Sequence, residues 1–192
     1  MKFVTLFLLI KKGVGLVINL VEKTPAADYL PISVGPLKFS EVKVENIFSI
    51  QPYKEKLEDA SKALKKQYGL TFPGIGKSMI RRTSDIFWAG LDLYFLIASD
   101  MPIMDAGVTD QSDAWVVTTL SGEGANEVLD RLCPIDNRLM EEGDVVRSTI
   151  GHMPAIIRRT EEGFSILVFR SFSKTLAHEV EICMKSVVAQ NS

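Results

Sequence analysis

At 192 residues and 46% hydrophobic content the chain can fill one generous core, or two small ones, without covalent staples. Its 22 Lys and Arg are interleaved with 24 acids for a net charge of −2, so no overall field attracts phosphate backbones and nucleic acid is not an expected partner. Cys133 and Cys183 form no CxxC pair, and no carboxylates are spaced to complete a zinc site with them and the two histidines, His152 and His178; this cysteine usage suits a reducing compartment, the cytoplasm.

The first apolar run, 3–10 (FVTLFLLI), lies between Lys2 and the pair Lys11 and Lys12. It lacks a small-residue cleavage site and falls short of the ~20 residues that span a bilayer, so no membrane anchor is expected. Residues 1–22 are set apart as an N-terminal extension, either an added strand or translation from an upstream start, and 23–192 as the folded domain. Prolines and a glycine mark 23–35 as irregular, and 42–51 (VKVENIFSIQ) reads as extended. In 54–68, Leu57, Ala60, Leu64 and Tyr68 form one stripe, with acids early and lysines late as the macrodipole favours, and Gly69 closes the helix.

Segment 77–82 reads as a strand, and 86–88 with 93–98 as a hairpin bent at Gly90, Leu91 and Asp92. Residues 101–112 read as a loop between halves, and 114–120 (AWVVTTL) as the next strand. A short helix over 124–133 turns Ala125, Val128, Leu129 and Leu132 inward and stops at Pro134. Strands are expected at 145–150 and 155–159, broken at Gly151 to Pro154, and at 164–169 after the turn 160–163. Ser171 or Ser173 caps a last helix carrying Leu176, Val180, Cys183 and Val187 on one face.

Two halves, about 40–100 and 110–190, share an order of extended segment, helix and strands, and Arg81-Arg82-Thr83 echoes Arg158-Arg159-Thr160. The expected fold class is α+β with duplicated β-α-β subdomains.

Chemistry-bearing motifs are incomplete. The run 71–78 (TFPGIGKS) ends like a phosphate-binding loop, but Thr71 replaces the first glycine, Pro73 removes an amide, and a helix precedes it where a strand is required. Ser171 to Lys174 matches SxxK without its SDN or KTG companions, so helix capping is the simpler role. Cys133 with His152 could be drawn as nucleophile and base, although a buried structural cysteine fits the apolar side of its helix. Glu141, Glu142 and Asp144 read as a solvated acidic turn, and no catalytic residue is assigned.

The stretch 110–136 (DQSDAWVVTTLSGEGANEVLDRLCPID) and the later GHMPAIIRR, with Arg170-Ser171-Phe172 behind it, resemble the gamma subunit of heterotetrameric sarcosine oxidase. The first half is looser: Leu91 stands where the family's tryptophan-glycine-proline-aspartate turn has proline. The resemblance implies a fold like the folate-binding domain of glycine-cleavage aminomethyltransferases. It implies an accessory chain, with alpha, beta and delta subunits as partners, in an enzyme that oxidises the N-methyl group of sarcosine. FAD, FMN, NAD, zinc and tetrahydrofolate are implied on those other subunits and none on this chain. Asp110, Asp113, Trp115, His152, Met153 and Pro154 are the expected contact residues, because apolar, turn-constrained sequence suits the centre of a protein interface. The alternative is a free-standing folate-binding or aminomethyl-transfer protein, which would need a carboxylate facing the pterin in a cavity between the halves.

Overall fold

The structure is a computed structural model that describes residues 22–190, so the apolar run at 3–10 lies outside the described residues. It is an α+β fold of eleven strands in two antiparallel sheets with three α-helices. Strands β1 (Ile32–Val34) and β2 (Leu37–Glu41) lead into β3 (Ile47–Pro52), then α1 (Leu57–Tyr68), β4 (Ser78–Arg81), β5 (Ser84–Gly90), β6 (Leu93–Ile97) and β7 (Ala106–Asp110). The second series is β8 (Trp115–Ser121), α2 (Ala125–Leu132), β9 (Val145–Ile150), β10 (Met153–Thr160), β11 (Gly163–Phe169) and α3 (Ser173–Gln190).

The helices form where the stripes predict. In α1, Ala60 and Leu64 are fully buried, and Gly69 adopts the left-handed conformation (φ 72°) and donates its N–H to the Lys65 carbonyl. Leu57, expected inward, is 48% exposed, because a 3-10 turn at Lys54–Lys56 displaces the start of the stripe. The Ser173 hydroxyl, one of two expected caps, instead donates to the Pro25 carbonyl at 2.9 Å and ties the N-terminal segment to α3.

The sheets have matching orders, β9-β10-β11-β8-β2-β1 and β4-β5-β6-β3-β7. β3 to β6 therefore correspond to β8 to β11. The fifth strands are exchanged: β2 precedes β3 in the chain yet pairs with β8, while β7 precedes β8 yet pairs with β3. At each crossing one backbone bond repeats, Val42 N to Val117 O at 2.8 Å and Gln111 N to Ile47 O at 2.7 Å. Segments 23–35 and 101–112, read as irregular from sequence, thus contain the short strands β1 and β7. Both are edge strands, with too little apolar alternation to be visible locally.

The Arg-Arg-Thr echo is not the mark of the repeat. Arg81-Arg82-Thr83 spans the β4–β5 turn, whereas Arg158-Arg159-Thr160 ends β10, the counterpart of β5. The correspondence shows instead at two glycines of positive φ, Gly76 (69°) and Gly143 (86°), which open β4 and β9. Around them Val145 N donates to Gly76 O at 2.7 Å and Ser78 N to Gly143 O at 2.8 Å.

The layers run α1, five-stranded sheet, six-stranded sheet, then α2 with α3. Leu64 packs with Phe48, Ile50, Ile86 and Leu96 on one outer face. Val128, Leu129, Leu176 and Val180 pack with Phe39, Leu120, Ile157 and Phe164 on the other. Between the sheets lie Ile47, Phe87, Phe95, Trp115, Ile156 and Leu167. Alternation along each strand makes this possible, since successive side chains of β8, β10 and β11 face opposite layers.

At the tight end of the six-stranded sheet, a Cβ on Gly163 (φ 154°) would run into the Leu120 carbonyl, and one on Gly122 (φ 102°) into the Pro36 carbonyl. Gly163→Ala should therefore cost about 3 kcal/mol or more in denaturant unfolding, because neither backbone can yield. Gly151→Ala, where φ is 54° but nothing lies within 4 Å, should cost only about 1 kcal/mol.

Candidate functional site

The layer between the sheets carries the buried ionic chemistry of the described residues. Ser78 pairs with Phe87 across β4 and β5, and Val145 pairs with Arg158 across β9 and β10. Phe87 and Arg158 therefore occupy corresponding positions in the two halves and meet face to face. The Arg158 guanidinium lies 4.3 Å above the Phe87 ring, and its Nη2 is 2.6 Å from Asp85 Oδ2. The Arg158 side chain is 5% exposed and that of Asp85 17%. Burial raises the Asp85 carboxyl above its ordinary value, and the attraction and hydrogen bond of Arg158 only partly offset this.

Asp85 Oδ1, Arg158 Nε and Trp115 Nε1 are buried without a hydrogen-bond partner among the described residues. Arg147 also ties the sheets together, its Nη1 donating to the Ala89 carbonyl at 2.8 Å. At the rim Lys77 Nζ lies 2.5 Å from Asp144 Oδ1, a contact that lowers the Asp144 pKa and raises that of Lys77. The glycine, lysine and serine of the phosphate-loop look-alike thus close the seam: Gly76 turns the chain, Lys77 pairs with Asp144, and the Ser78 hydroxyl donates to the Gly143 carbonyl at 3.0 Å.

The six predicted contact residues fall into two places. Asp110, Asp113 and Trp115 build the crossing from β7 to β8. Asp110 accepts from the N–H and hydroxyl of Ser112, which lowers its pKa, and the Ser112 oxygen accepts from Ile47 N at 3.1 Å. Asp113 is fully exposed and pairs with Arg170 at 3.0 Å. Trp115 is 7% exposed, stacks on Phe169 at 4.4 Å and meets Phe95 edge-on at 5.3 Å. Asp113, Trp115 and Arg170 line one end of an open groove of about 410 Å³ that continues along Pro25, Val42 and Val44.

His152, Met153 and Pro154 form the β9–β10 turn and the start of β10. Met153 is buried with the α2–α3 core, which leaves His152 and Pro154 at the surface. Gly151 N donates to the Leu132 carbonyl at 2.8 Å and brings this turn against the end of α2. Burial nevertheless pushes the Cys133 thiol up, against opposing hydrogen bonds with Ser148, Ile135 and Thr149. That is the reverse of an activated thiolate.

Asp85 and Arg158 escape the sequence reading although a signal exists: period-two alternation puts Arg158 on the same face as Ile156 and Asp85 on that of Phe87. Only the packing of one sheet on the other shows that both faces are internal. This arrangement can orient and lock the two sheets, and it commits the Asp85 carboxylate to Arg158. Among the described residues no group of three or more His, Cys, Asp or Glu is placed to hold a metal ion. No described helix is long and apolar enough to cross a membrane.

No protein-family model matches the chain, and no curated protein matches it. Among solved structures it is similar to a chain of the heterotetrameric sarcosine oxidase of Corynebacterium sp. U-96, determined in complex with pyrrole 2-carboxylate. The TM-score is 0.74, with 21% sequence identity over 86% of this chain and 96% of the other. The two share a fold.

Removing one partner of the buried pair leaves an uncompensated charge, so Arg158→Met should lose about 3 to 5 kcal/mol, whereas Arg158→Met combined with Asp85→Leu should stay within about 1 kcal/mol of wild type. Because the folded Asp85 carboxyl holds its proton above 3.8, it favours the folded state below that pH and loses this contribution as pH rises through the folded value. Urea unfolding should therefore show wild-type stability falling relative to Asp85→Asn as pH rises above 3.8.

Proposed function

We propose that this chain is the accessory gamma subunit of a heterotetrameric sarcosine oxidase, working in the cytoplasm beside alpha, beta and delta subunits. The observation that carries the reading is the shared fold over 96% of a chain from such an enzyme. The DQSDAW and GHMPAI runs, on which the sequence resemblance rests, support it. In this reading the complex oxidises the N-methyl group of sarcosine with oxygen to glycine and hydrogen peroxide, and the one-carbon unit passes to tetrahydrofolate. FAD, FMN, NAD, zinc and the folate are held by the companion subunits.

The chain's own groups are suited to assembly. Its buried carboxylate is neutralised by Arg158, and its buried thiol is held protonated by burial. The exposed members of the predicted set, Asp110, Asp113, His152 and Pro154, sit on constrained turns that present fixed surfaces to a partner. The free-standing folate reading needs a carboxylate facing a cavity between the halves, but the inter-sheet carboxylate of Asp85 lies under Arg158 in a packed layer.

Co-expression of the tagged chain with companion alpha, beta and delta subunits tests the assignment. The four chains should co-purify, and sarcosine-dependent peroxide formation should require the complex. A chain that stays monomeric while the other three assemble with full activity overturns it. Asp113→Lys should weaken co-purification while changing stability by less than about 0.5 kcal/mol, because its ion pair with Arg170 is exposed. Calorimetry with tetrahydrofolate on the isolated chain separates the readings, since tight binding without partners would favour the folate-binding alternative.

A further inference from the structure

A second surface, remote in sequence from the predicted contact residues, concentrates positive charge. The last turn of α1 and the β4–β5 turn border an open groove of about 460 Å³ that holds Lys65, Lys66, Arg81 and Arg82 against a single carboxylate, Asp100. All four cations are exposed, and none of their side chains makes an ion pair or hydrogen bond with any described residue. Lys56 just before α1 and Lys62 within it are matched, to Asp105 at 3.5 Å and to Asp59 at 3.7 Å. Lys65 and Lys66 alone would be ordinary complements to the helix C-terminus. Arg81 and Arg82 come from a separate hairpin, so the macrodipole does not account for their convergence.

Unrelieved crowding of like charges destabilises a fold. Arg82 adds to this, because it holds a left-handed φ of 55° in a two-residue turn where glycine or asparagine fits without strain. The chain as a whole carries −2, so the patch is a local departure from an otherwise mixed surface. Its lining is polar: Thr83, Ser84 and Ser99 supply hydroxyls. The one aromatic ring, Tyr68, donates its hydroxyl to the Asp100 carbonyl at 2.7 Å, with a phenol pushed up to about 12 mainly by burial. A groove with a mainly polar lining does not bind mainly through the hydrophobic effect.

We propose that this groove is the docking surface for an acidic, extended segment of a partner protein. The charges reside on long, flexible, exposed side chains spread over two elements, which suits several carboxylates in a row, and the two arginine forks can each take one bidentately. Four cations spread over two elements match a row of carboxylates better than one compact phosphate, and the Gly69 N–H at the end of α1, spent on the Lys65 carbonyl, adds no backbone donor. Single-stranded nucleic acid binds on rings where its bases stack, and the groove offers only Tyr68. Nothing about this surface requires the partner to be an oxidase subunit.

Fluorescence anisotropy of a labelled aspartate-rich decapeptide, titrated with the full chain at about 20 mM and about 200 mM salt, tests the proposal. Saturable binding that weakens with salt is expected. Arg81→Ala with Arg82→Gly should weaken it about tenfold, while Lys43→Ala with Lys174→Ala, outside the groove, should leave it unchanged. The Arg82→Gly change suits the local φ, so loss of binding would not reflect unfolding, and circular dichroism checks this. No peptide binding, undiminished binding by the arginine variant, or an equal loss in the control would overturn the proposal. So would arginine-dependent binding of tripolyphosphate or of a thymidine decamer more tightly than the peptide.

Discussion

The constraint on which the structure depends is that two antiparallel sheets share one internal layer while each also carries helices on its other face. A sheet in the middle of such a stack has no solvent face, so every charged side chain that alternation turns inward must find a partner inside. Arg158 and Asp85 are that case. The guanidinium lies flat on Phe87 and bonds Asp85, so the layer keeps its aromatic packing and tolerates a charge. The upward shift of the Asp85 carboxyl shows that burial outweighs the ion pair. The pair therefore acts mainly to fix how the sheets sit on each other, and a well-packed apolar pair could match its contribution to stability.

Strand exchange follows from the same arrangement. Because β2 pairs with β8 and β7 with β3, each sheet takes one strand from the segment that leads into the other sheet. The crossings are where the chain passes between layers, and the DQSDAW run builds one of them: Ser112 receives the Ile47 amide while Asp110 holds Ser112. A segment that resembles a family signature thus has a structural role within the chain, whatever it touches outside. The positive-φ glycines Gly76 and Gly143 serve the seam in the same way, and so account for a glycine-lysine-serine run that resembles a phosphate loop.

The polar groups not absorbed by this interior lie on the surface in two distinct kinds of place. Asp113, Arg170, His152 and Pro154 are held on turns and strand ends, whereas Lys65, Lys66, Arg81 and Arg82 are exposed without an ion pair. Rigid turns favour tight, shape-matched contacts because little order is lost on binding. Exposed cations favour fast, salt-sensitive capture. A chain that works through contacts can use both, the second to steer and the first to hold.

The sequence by itself determined the helices, their buried stripes, the Gly69 cap and the hairpins β5–β6 and β10–β11. Each of these is written in local periodicity and in turn residues within a few positions of one another. Its resemblance to a family rested on two short runs, and the structure comparison shows a shared fold at 21% identity. Tertiary structure alone decided the rest. The edge strands β1 and β7 carry weak patterns and exist because a neighbour offers its free backbone groups. The repeat is carried by Gly76 and Gly143 and not by the Arg-Arg-Thr echo, because backbone geometry, which conserves no side chain, defines it. Asp85 and Arg158, to which the sequence assigned no role, became the buried centre, and Lys65 met Arg82 across a groove. These outcomes depend on which face of one sheet covers another, and that is fixed by contacts between residues far apart in the chain.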